Sequence, residues 1–273
     1  SMESHGVEFT LSTRNISTKN FKWTTDFIFS NAKNKVTELK SDANVMSMIS
    51  GSGFALEGNP VRSLYSLNFQ GLNKEGLPTF INEKGELTVT DINFQERENK
   101  SHLVYEGSTD PTITGSFGNI FSYKGFKLNV FMTYSFGNVI RLDPVFHNAY
   151  SDLDATPREF KNRWTVAGDE KITTVPVIAD LRQNTMNSYL NKAYNAYNYS
   201  TERIAKGDFI RMKEISVTYE FPKTMVSKLS LSNLSLKIQG TNLFLLYADK
   251  KLNGQDPEFF NSGGVAVPVP KIG

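Results

Sequence analysis

Apolar and polar residues alternate along six stretches of the chain. The clearest stretch runs from residue 126 to 136, where every even position is large and apolar: Phe126, Leu128, Val130, Met132, Tyr134 and Phe136. A period of two indicates an extended strand with one apolar face and one largely polar face. The same alternation recurs at about 6–16, 21–30, 114–123, 209–221 and 233–247. The pattern therefore predicts a β protein with six strands, and with one short helical turn near Val226–Leu231.

The connections between these strands alternate between short and long. Residues 15–20, 123–126 and 222–232 form short turns, whereas about 40–111, about 141–207 and the chain from 248 onward are long and rich in turn-forming residues. Compact soluble domains seldom contain structureless loops longer than about 15 residues. Short periplasmic turns and long extracellular loops are typical of outer-membrane barrels. The layout favours an all-β fold, a segment of an antiparallel transmembrane β-barrel.

This interpretation assigns an environment to each face of the strands. The six apolar side chains of 126–136 are expected to face lipid, as the outward residues of a barrel do. The charged residues at the alternate positions are expected to face the lumen: Arg14, Lys22, Asp26, Glu214, Glu220 and Lys237. The alternative is a secreted β-sandwich carbohydrate-binding module, which would bury the apolar face against a second sheet. Strands of about ten residues are long for a sandwich.

Composition excludes several classes of protein. The chain has 273 residues with 39% hydrophobic content and a mean hydropathy of −0.35, and no apolar run is long enough for a membrane-spanning helix. The net charge of +2, without a basic cluster on a helix, gives no indication of nucleic-acid binding. The absence of cysteine excludes disulfides and thiolate metal sites. The first residues carry no charged-then-apolar leader, which predicts either a cytosolic chain or a parent that begins further upstream.

Catalytic and metal-binding signals are weak. The three histidines, His5, His102 and His147, have no HExxH spacing, and no GxSxG motif is present. Asp152 and Asp154 could hold calcium, but they lack the glycine spacing of a calcium loop and are better interpreted as a solvated loop. The sequence therefore predicts no enzyme, no cofactor and no metal.

Aromatic residues in the predicted outer loops are the candidates for substrate contact. Tyr194, Tyr197 and Tyr199 lie close together, and aromatic faces can stack on sugars. Packing of loop against loop is the favoured interpretation, and substrate binding is the alternative. Trp164, close to Asp169 and Glu170, is likewise interpreted first as a loop anchor and second as a ligand contact.

Several stretches, taken in order, resemble one family. "GVEFTLSTRNISTKNFKWTTDFIFSNAKNKVTEL", "SLYSLNFQGLNKEGLPTF", "DPTITGSFGNIFSYKGFKLNVFMTYSFGNVI", "NRWTVAGDE", "YSTERIAKGDFIRMKEISVTYEFPK" and "LSLKIQGTNLFLLY" are similar to the SusC/RagA-type TonB-dependent outer-membrane transporters of Bacteroidota. The resemblance implies that 1–273 is a C-terminal part of the barrel domain, without the plug, the TonB box or the final strand. A closing "DPEFFNSGGVAVPVPK" resembles the approach to that last strand.

The resemblance also implies a function and partners. Such transporters import large nutrients, commonly oligosaccharides or peptides, across the outer membrane of Gram-negative cells. TonB supplies the energy, and a SusD-like surface lipoprotein caps the barrel as a lid. The expected partners are therefore outer-membrane lipid, that lipoprotein, TonB and the cargo, with no nucleic acid. A porin or adhesin barrel without TonB coupling stays open at this point, since only an upstream plug would separate the two.

Overall fold

The computed structural model describes residues 1–51, 53–146, 158–179, 181–186 and 189–258. Its strands, in chain order, are β1 (Met2–Ser17), β2 (Phe21–Val36), β3 (Ser63–Leu67), β4 (Phe69–Leu72), β5 (Pro78–Ile81), β6 (Leu87–Thr88), β7 (Leu103–Ser108), β8 (Ile113–Tyr123), β9 (Phe126–Phe136), β10 (Val139–Arg141), β11 (Ile204–Lys206), β12 (Phe209–Glu220) and β13 (Ser235–Ala248). The helices are α1 (Val45–Ile49), α2 (Leu181–Met186), α3 (Leu190–Asn198) and α4 (Lys223–Val226). Short 3₁₀ segments lie at Arg158–Asn162, Asp169–Lys171, Thr201–Arg203, Ser227–Leu229 and Lys250–Leu252.

The six predicted strands form one antiparallel sheet. Its order, β1-β2-β8-β9-β12-β13, follows the chain, so each strand lies beside the long strand before it and the long strand after it. The β8–β9 turn is two residues long, and both Lys124 and Gly125 have positive φ, at 45° and 87°. Two positive φ angles are what a tight hairpin turn of the primed type requires. Antiparallel pairing therefore places the three short connections at one end of the sheet and the long connections at the other.

The register of β12 contains a bulge at Lys213. Met212 pairs with Met132, and Glu214 pairs with Phe131, so one residue of β12 is left without an opposite residue on β9. A bulge of this kind exchanges the faces of the positions that follow it. Ile210 and Met212 therefore share a face with Ile215 and Val217, and this face continues the even face of β9.

The long connections are folded, which corrects the prediction of irregular loops. They contain three of the helices and three small antiparallel sheets, with strand orders β10-β11, β3-β7 and β4-β5-β6. The prediction of a single helical turn missed α3, which buries Leu190, Ala193, Ala196 and Tyr197 at helical spacing. The helical turn expected near 226–231 is confirmed as α4 and the 3₁₀ segment after it.

The main hydrophobic core lies in these connections rather than against the six-stranded sheet. Its buried members come from distant parts of the chain: Val45, Ile49, Leu67, Phe80, Ile92, Val145, Phe146, Phe160, Ala196 and Tyr197. A smaller cluster of Ile140, Leu142, Ala205 and Leu252 joins β10 and β11 to the segment after β13. The connections thus form an ordered assembly at one end of the sheet, referred to below as the loop assembly. Within the described ranges, no helix is long and apolar enough to cross a bilayer.

Candidate functional site

One face of the six-stranded sheet is apolar from edge to edge. We call it the outward face. On β9 it carries Phe126, Leu128, Val130, Met132, Tyr134 and Phe136, the six side chains expected to face lipid. The register aligns them with Phe117, Phe121 and Tyr123 of β8, with Ile215, Val217 and Tyr219 of β12, and beyond these with Phe27, Phe29, Leu236, Ile238, Phe9 and Leu11. The sheet thus continues the apolar pattern of one strand into a surface six strands wide.

No second layer covers the outward face in the part of the chain that the structure describes. Phe126 is 53% exposed and Ile238 is 70% exposed. A β-sandwich would bury such a face against a second sheet, so the structure does not favour the carbohydrate-binding sandwich. Soluble monomers rarely expose a contiguous apolar surface of this extent. The face therefore has the character of a surface that meets lipid or another protein.

A short row of hydrogen-bonded polar side chains interrupts the outward face. Asn119 Oδ1 accepts a hydrogen bond from Trp23 Nε1 at 2.9 Å and another from Thr25 Oγ1 at 2.7 Å. Thr25 Oγ1 in turn accepts from Asn15 Nδ2 at 2.6 Å. These groups satisfy one another, as polar groups away from water must. The row is therefore compatible with an apolar environment around it.

Aromatic packing fills the space above a glycine on this face. The Tyr134 ring crosses Gly115 of β8, and its hydroxyl donates to the Ile28 carbonyl of β2 at 2.7 Å. A Cβ atom at Gly115 would lie 2.3 Å from the Tyr134 oxygen and 2.1 Å from the Ile28 oxygen. Glycine is required at position 115 because the Tyr134 ring passes directly over it, from β9 across β8, to reach the Ile28 carbonyl on β2.

We expect Gly115→Ala to destabilise the sheet by about 1–3 kcal/mol, the usual cost of overpacking. The matched control is Gly118→Ala on the same strand, where the nearest atom to an added Cβ, Phe131 Cδ2, lies 3.3 Å away. Alanine at that position should change the free energy of unfolding by less than about 1 kcal/mol. Urea unfolding of the full-length protein in lipid measures both. Equal midpoints for the two variants would contradict the packing described.

The opposite face of the sheet is polar and internally bonded. Glu214 accepts from Asn129 Nδ2 at 3.1 Å and from Ser216 Oγ at 2.9 Å, and Lys237 Nζ lies 4.0 Å away. Ser12 Oγ donates to Asp26 at 2.6 Å. The charged side chains expected on this face lie on it, as the register of each strand shows. A polar face that satisfies its own charges is suited to a water-filled or plugged interior.

A buried ion network connects this polar face to the segment after β13. Arg211 Nη2 donates to both carboxylate oxygens of Asp256 at 2.5 Å, and the two side chains are only 5% and 7% exposed. Arg211 Nε lies 2.7 Å from Glu258 Oε2, an ion-pair contact without hydrogen-bond alignment. Lys213, the bulge residue, binds Glu258 Oε1 at 2.8 Å. The network fixes residues 256–258 against β12.

Tyr194 and Tyr197 belong to the loop assembly. Both lie on α3 and both pack on Phe146, with ring centroids 4.4 Å and 5.6 Å from it. The Tyr194 hydroxyl donates to the Val177 carbonyl at 2.8 Å. Tyr197 is 2% exposed, and this burial raises its pKa. The structure thus places these two candidates within packing contacts, and a role in cargo binding stays a prediction.

Tyr199 lies beside a buried charge. The guanidinium of Arg141 is centred 5.5 Å from the Tyr199 ring, and it donates to the Tyr65 carbonyl at 2.7 Å and to Ser66 Oγ at 3.3 Å. Burial lowers the pKa of Arg141 to about 10, an effect opposed by the charge of Glu106. Burial likewise raises the pKa of Glu106. Sequence reasoning missed this pair because neither residue lies in a recognisable motif.

Trp164 anchors one loop to another. Its indole lies on the turn at Gly76, where an added Cβ would come within 2.7 Å of the ring, and its Nε1 donates to Glu170 at 3.1 Å. Asp169 accepts from the Thr165 amide and hydroxyl, both at 2.9 Å, and from the Val166 amide at 3.0 Å. Trp164 therefore has a clear structural role in the loop, and its contact with a ligand stays a prediction.

These hydrogen bonds predict a pH dependence for the Trp164 loop. They lower the pKa of Asp169 below its ordinary 3.8, chiefly through the Thr165 amide, and that of Glu170 below 4.5, chiefly through the Trp164 indole. A carboxylate whose pKa is lower in the folded than in the unfolded state stabilises the fold at pH values above its unfolded pKa. This stabilisation is lost as the pH falls through the folded pKa. We expect Trp164 fluorescence, taken as the difference from a Trp164→Phe variant, to be constant above pH 4.5 and to change below pH 3.8.

The control for that pH dependence is the double variant Asp169→Asn, Glu170→Gln. Its side chains keep acceptor oxygens but no longer titrate in this range, so the acid transition of Trp164 should disappear. An unchanged transition in the double variant would assign it to other groups.

Several sequence predictions fall outside the described residues. His147, Asp152, Asp154 and most of the stretch resembling the approach to a last strand lie there. Among the residues that are described, no group of three or more His, Cys, Asp or Glu side chains is placed to hold a metal ion.

Comparison with known proteins finds similarity to TonB-dependent receptors. The chain is 26% identical over 273 residues to the TonB-dependent receptor P3 of Formosa agariphila, with 94% of this chain and 25% of the relative covered. It is 25% identical to the TonB-dependent receptor P39 of the same organism, over 98% of this chain and 28% of the relative. No family model matches. The structure of the RagAB peptide transporter superposes with a TM-score of 0.67 at 19% identity, over 97% of this chain and 27% of that one.

The chain is similar to TonB-dependent receptors in sequence and to the RagAB transporter in fold. It spans about a quarter of the length of the curated relatives it matches. The likeness to RagAB confirms the fold class, an antiparallel β segment of a barrel, although the described residues contain an open sheet of six strands and no closed barrel. These relatives are named as receptors and not as enzymes.

Proposed function

We propose that this receptor segment forms part of the wall and the outer loops of an outer-membrane importer of large nutrients. One observation carries the proposal: the outward face is apolar across six strands, while the opposite face is polar. The short turns at one end and the loop assembly at the other fit periplasmic and extracellular sides. The edge strands β1 and β13 would pair with further strands of the receptor, because an open sheet edge is not viable in lipid.

The proposed cargo is peptide, with oligosaccharide as the second class. The RagAB neighbours are described as a peptide transporter and as a peptide importer with open and closed states. By the same resemblance, a SusD-like surface lipoprotein would cover the loop assembly. TonB would act through parts of the receptor outside this segment, so the segment alone is expected to transport nothing.

The test is an uptake experiment with the full-length receptor in its own cells. Peptide and oligosaccharide mixtures are supplied separately, and uptake is compared between the parent, a receptor deletion and a tonB deletion. Loss of uptake of one mixture in both deletions is expected. Normal uptake of both mixtures after deletion of the receptor would contradict the proposal, as would recovery of the receptor in the soluble fraction.

A further inference from the structure

Two adjoining cavities in the loop assembly share Lys161, and the first of them is lined mainly by cations. The first, of about 450 Å³, is bordered by Arg158, Lys161, Lys250 and Lys251, with Glu159 as its one acidic residue among those described. The second, of about 490 Å³, shares Lys161 and adds Arg163. We call these five cationic residues together the basic cleft. Each cavity is in the size range of ordinary ligand sites.

The acidic residues at the basic cleft are already engaged elsewhere. Glu159 forms an ion pair with Arg203 at 3.2 Å, and the Arg203 side chain is only 4% exposed. Asp169, in the second cavity, accepts three hydrogen bonds from its own loop. Among the described residues, none of the five cations of the cleft forms an ion pair. The cleft therefore presents cations that are not paired at salt-bridge distance with any described residue, while the charge of Lys251 also acts on Glu106.

The walls of the basic cleft are fixed by the fold. Phe160, between Arg158 and Lys161, is buried in the main core. On the other wall, Leu252 is buried with Ile140 and Leu142. Asp249 caps this wall, since its carboxylate accepts from the Lys251 amide and from the Lys206 amide, both at 2.9 Å. The cationic side chains thus project from two anchored backbones, which favours binding over the same groups on mobile loops.

The lining distinguishes between two kinds of anionic ligand. No aromatic side chain borders either cavity in the described part of the chain, so the stacking face that sugars use is missing. The second cavity instead offers Ile172, which is 83% exposed, next to its cations. An apolar side chain beside a group of cations is complementary to a peptide that carries both apolar and acidic residues.

We infer that the basic cleft binds carboxylate side chains of acidic peptides, and so selects acidic cargo. The inference rests on the proposed function, since it takes peptide as the cargo class. Arginine would hold carboxylates in bidentate fashion and lysine as a point charge. Binding should therefore weaken as salt is raised.

The test uses the full-length receptor in detergent and a fluorescein-labelled hexapeptide of alternating alanine and glutamate. Its glutamine counterpart is the neutral probe, and trigalacturonate is the carboxylated saccharide. The triple variant Lys161→Gln, Lys250→Gln, Lys251→Gln should weaken binding of the acidic peptide by roughly tenfold and flatten its salt dependence. Lys228→Gln, at the opposite end of the sheet, should leave binding of the acidic peptide unchanged. Neither the triple variant nor Lys228→Gln should change binding of the glutamine peptide.

The outcomes separate this inference from the proposed function. If cells import both peptides in a TonB-dependent way and the triple variant binds the acidic probe normally, the cleft assignment is wrong and the importer stands. If trigalacturonate binds through the cleft and the acidic peptide does not, the ligand class is wrong. If no peptide is imported by the unaltered receptor, peptide import itself fails. Unchanged heat-modifiable migration shows that the variants fold.

Discussion

Replacement of Arg211 by methionine should destabilise the protein by about 3–5 kcal/mol, the usual result of breaking a buried ion pair from one side. The substitution leaves the Asp256 carboxylate buried, next to Glu258, with the partly exposed Lys213 as the cation that remains nearby. Methionine retains much of the volume of the side chain, so the loss reflects charge rather than a cavity. Urea unfolding of the full-length protein in lipid measures the change.

Two controls accompany this prediction. Arg97→Met breaks an ion pair with Asp42 whose side chains are 53% and 83% exposed, so it should cost at most about 1 kcal/mol. The double variant Arg211→Met, Asp256→Leu removes the uncompensated charge and should recover most of the lost stability. A cost for Arg97→Met equal to that for Arg211→Met would show that burial of the network is not the cause.

Replacement of Val130 by arginine should cost about 2–4 kcal/mol, because a lipid-facing charge near the bilayer midplane is expensive. Val130 lies at the centre of the outward face, between Asn119 of β8 and Ile215 of β12. The adjacent Asn129 points to the polar face and bonds to Glu214. Asn129→Arg is therefore the matched control, and it should cost less than about 1 kcal/mol because the new cation lies beside a carboxylate.

The two substituted positions are adjacent in sequence, but their side chains lie on opposite faces of the sheet. Heat-modifiable migration and urea midpoints in lipid vesicles compare them directly. Equal losses at both positions would contradict the assignment of faces, and so would a normal midpoint for Val130→Arg.

The long strands were predictable because alternation is a local signal. Each hairpin has its own period of two, and the tight Lys124–Gly125 turn carries its own glycine. The bulge accompanies a change of parity in β12, from apolar Ile210 and Met212 to apolar Ile215, Val217 and Tyr219, although Phe209 is also apolar. The Phe131 side chain, which breaks the polar pattern of β9, lies next to Gly118 on the polar face. Such a contact depends on register and is not evident from one strand.

The loop assembly was not predictable because its signals are long-range. Phe146, Phe160 and Tyr197 make one aromatic cluster from three separate segments. The α3 sequence is rich in asparagine and tyrosine, which is typical of a loop. The segment is helical because its apolar residues, which recur at helical spacing, are buried. The cations of the basic cleft are ordinary surface residues in sequence. They form a cleft only because the fold brings the Lys250–Leu252 turn next to Arg158–Asn162.

Contact of the outward face with lipid is best tested by single cysteines, since this chain contains no cysteine of its own. In the full-length protein, freed of any other cysteine, spin labels are placed at Leu128 and Met132 on the outward face and at Asn129 and Thr133 on the polar face. Accessibility to oxygen and to a water-soluble nickel complex is then measured in lipid vesicles. We predict high oxygen and low nickel accessibility at 128 and 132, with the reverse at 129 and 133. Nickel accessibility at 128 and 132 as high as at 129 and 133 would contradict a membrane-facing sheet.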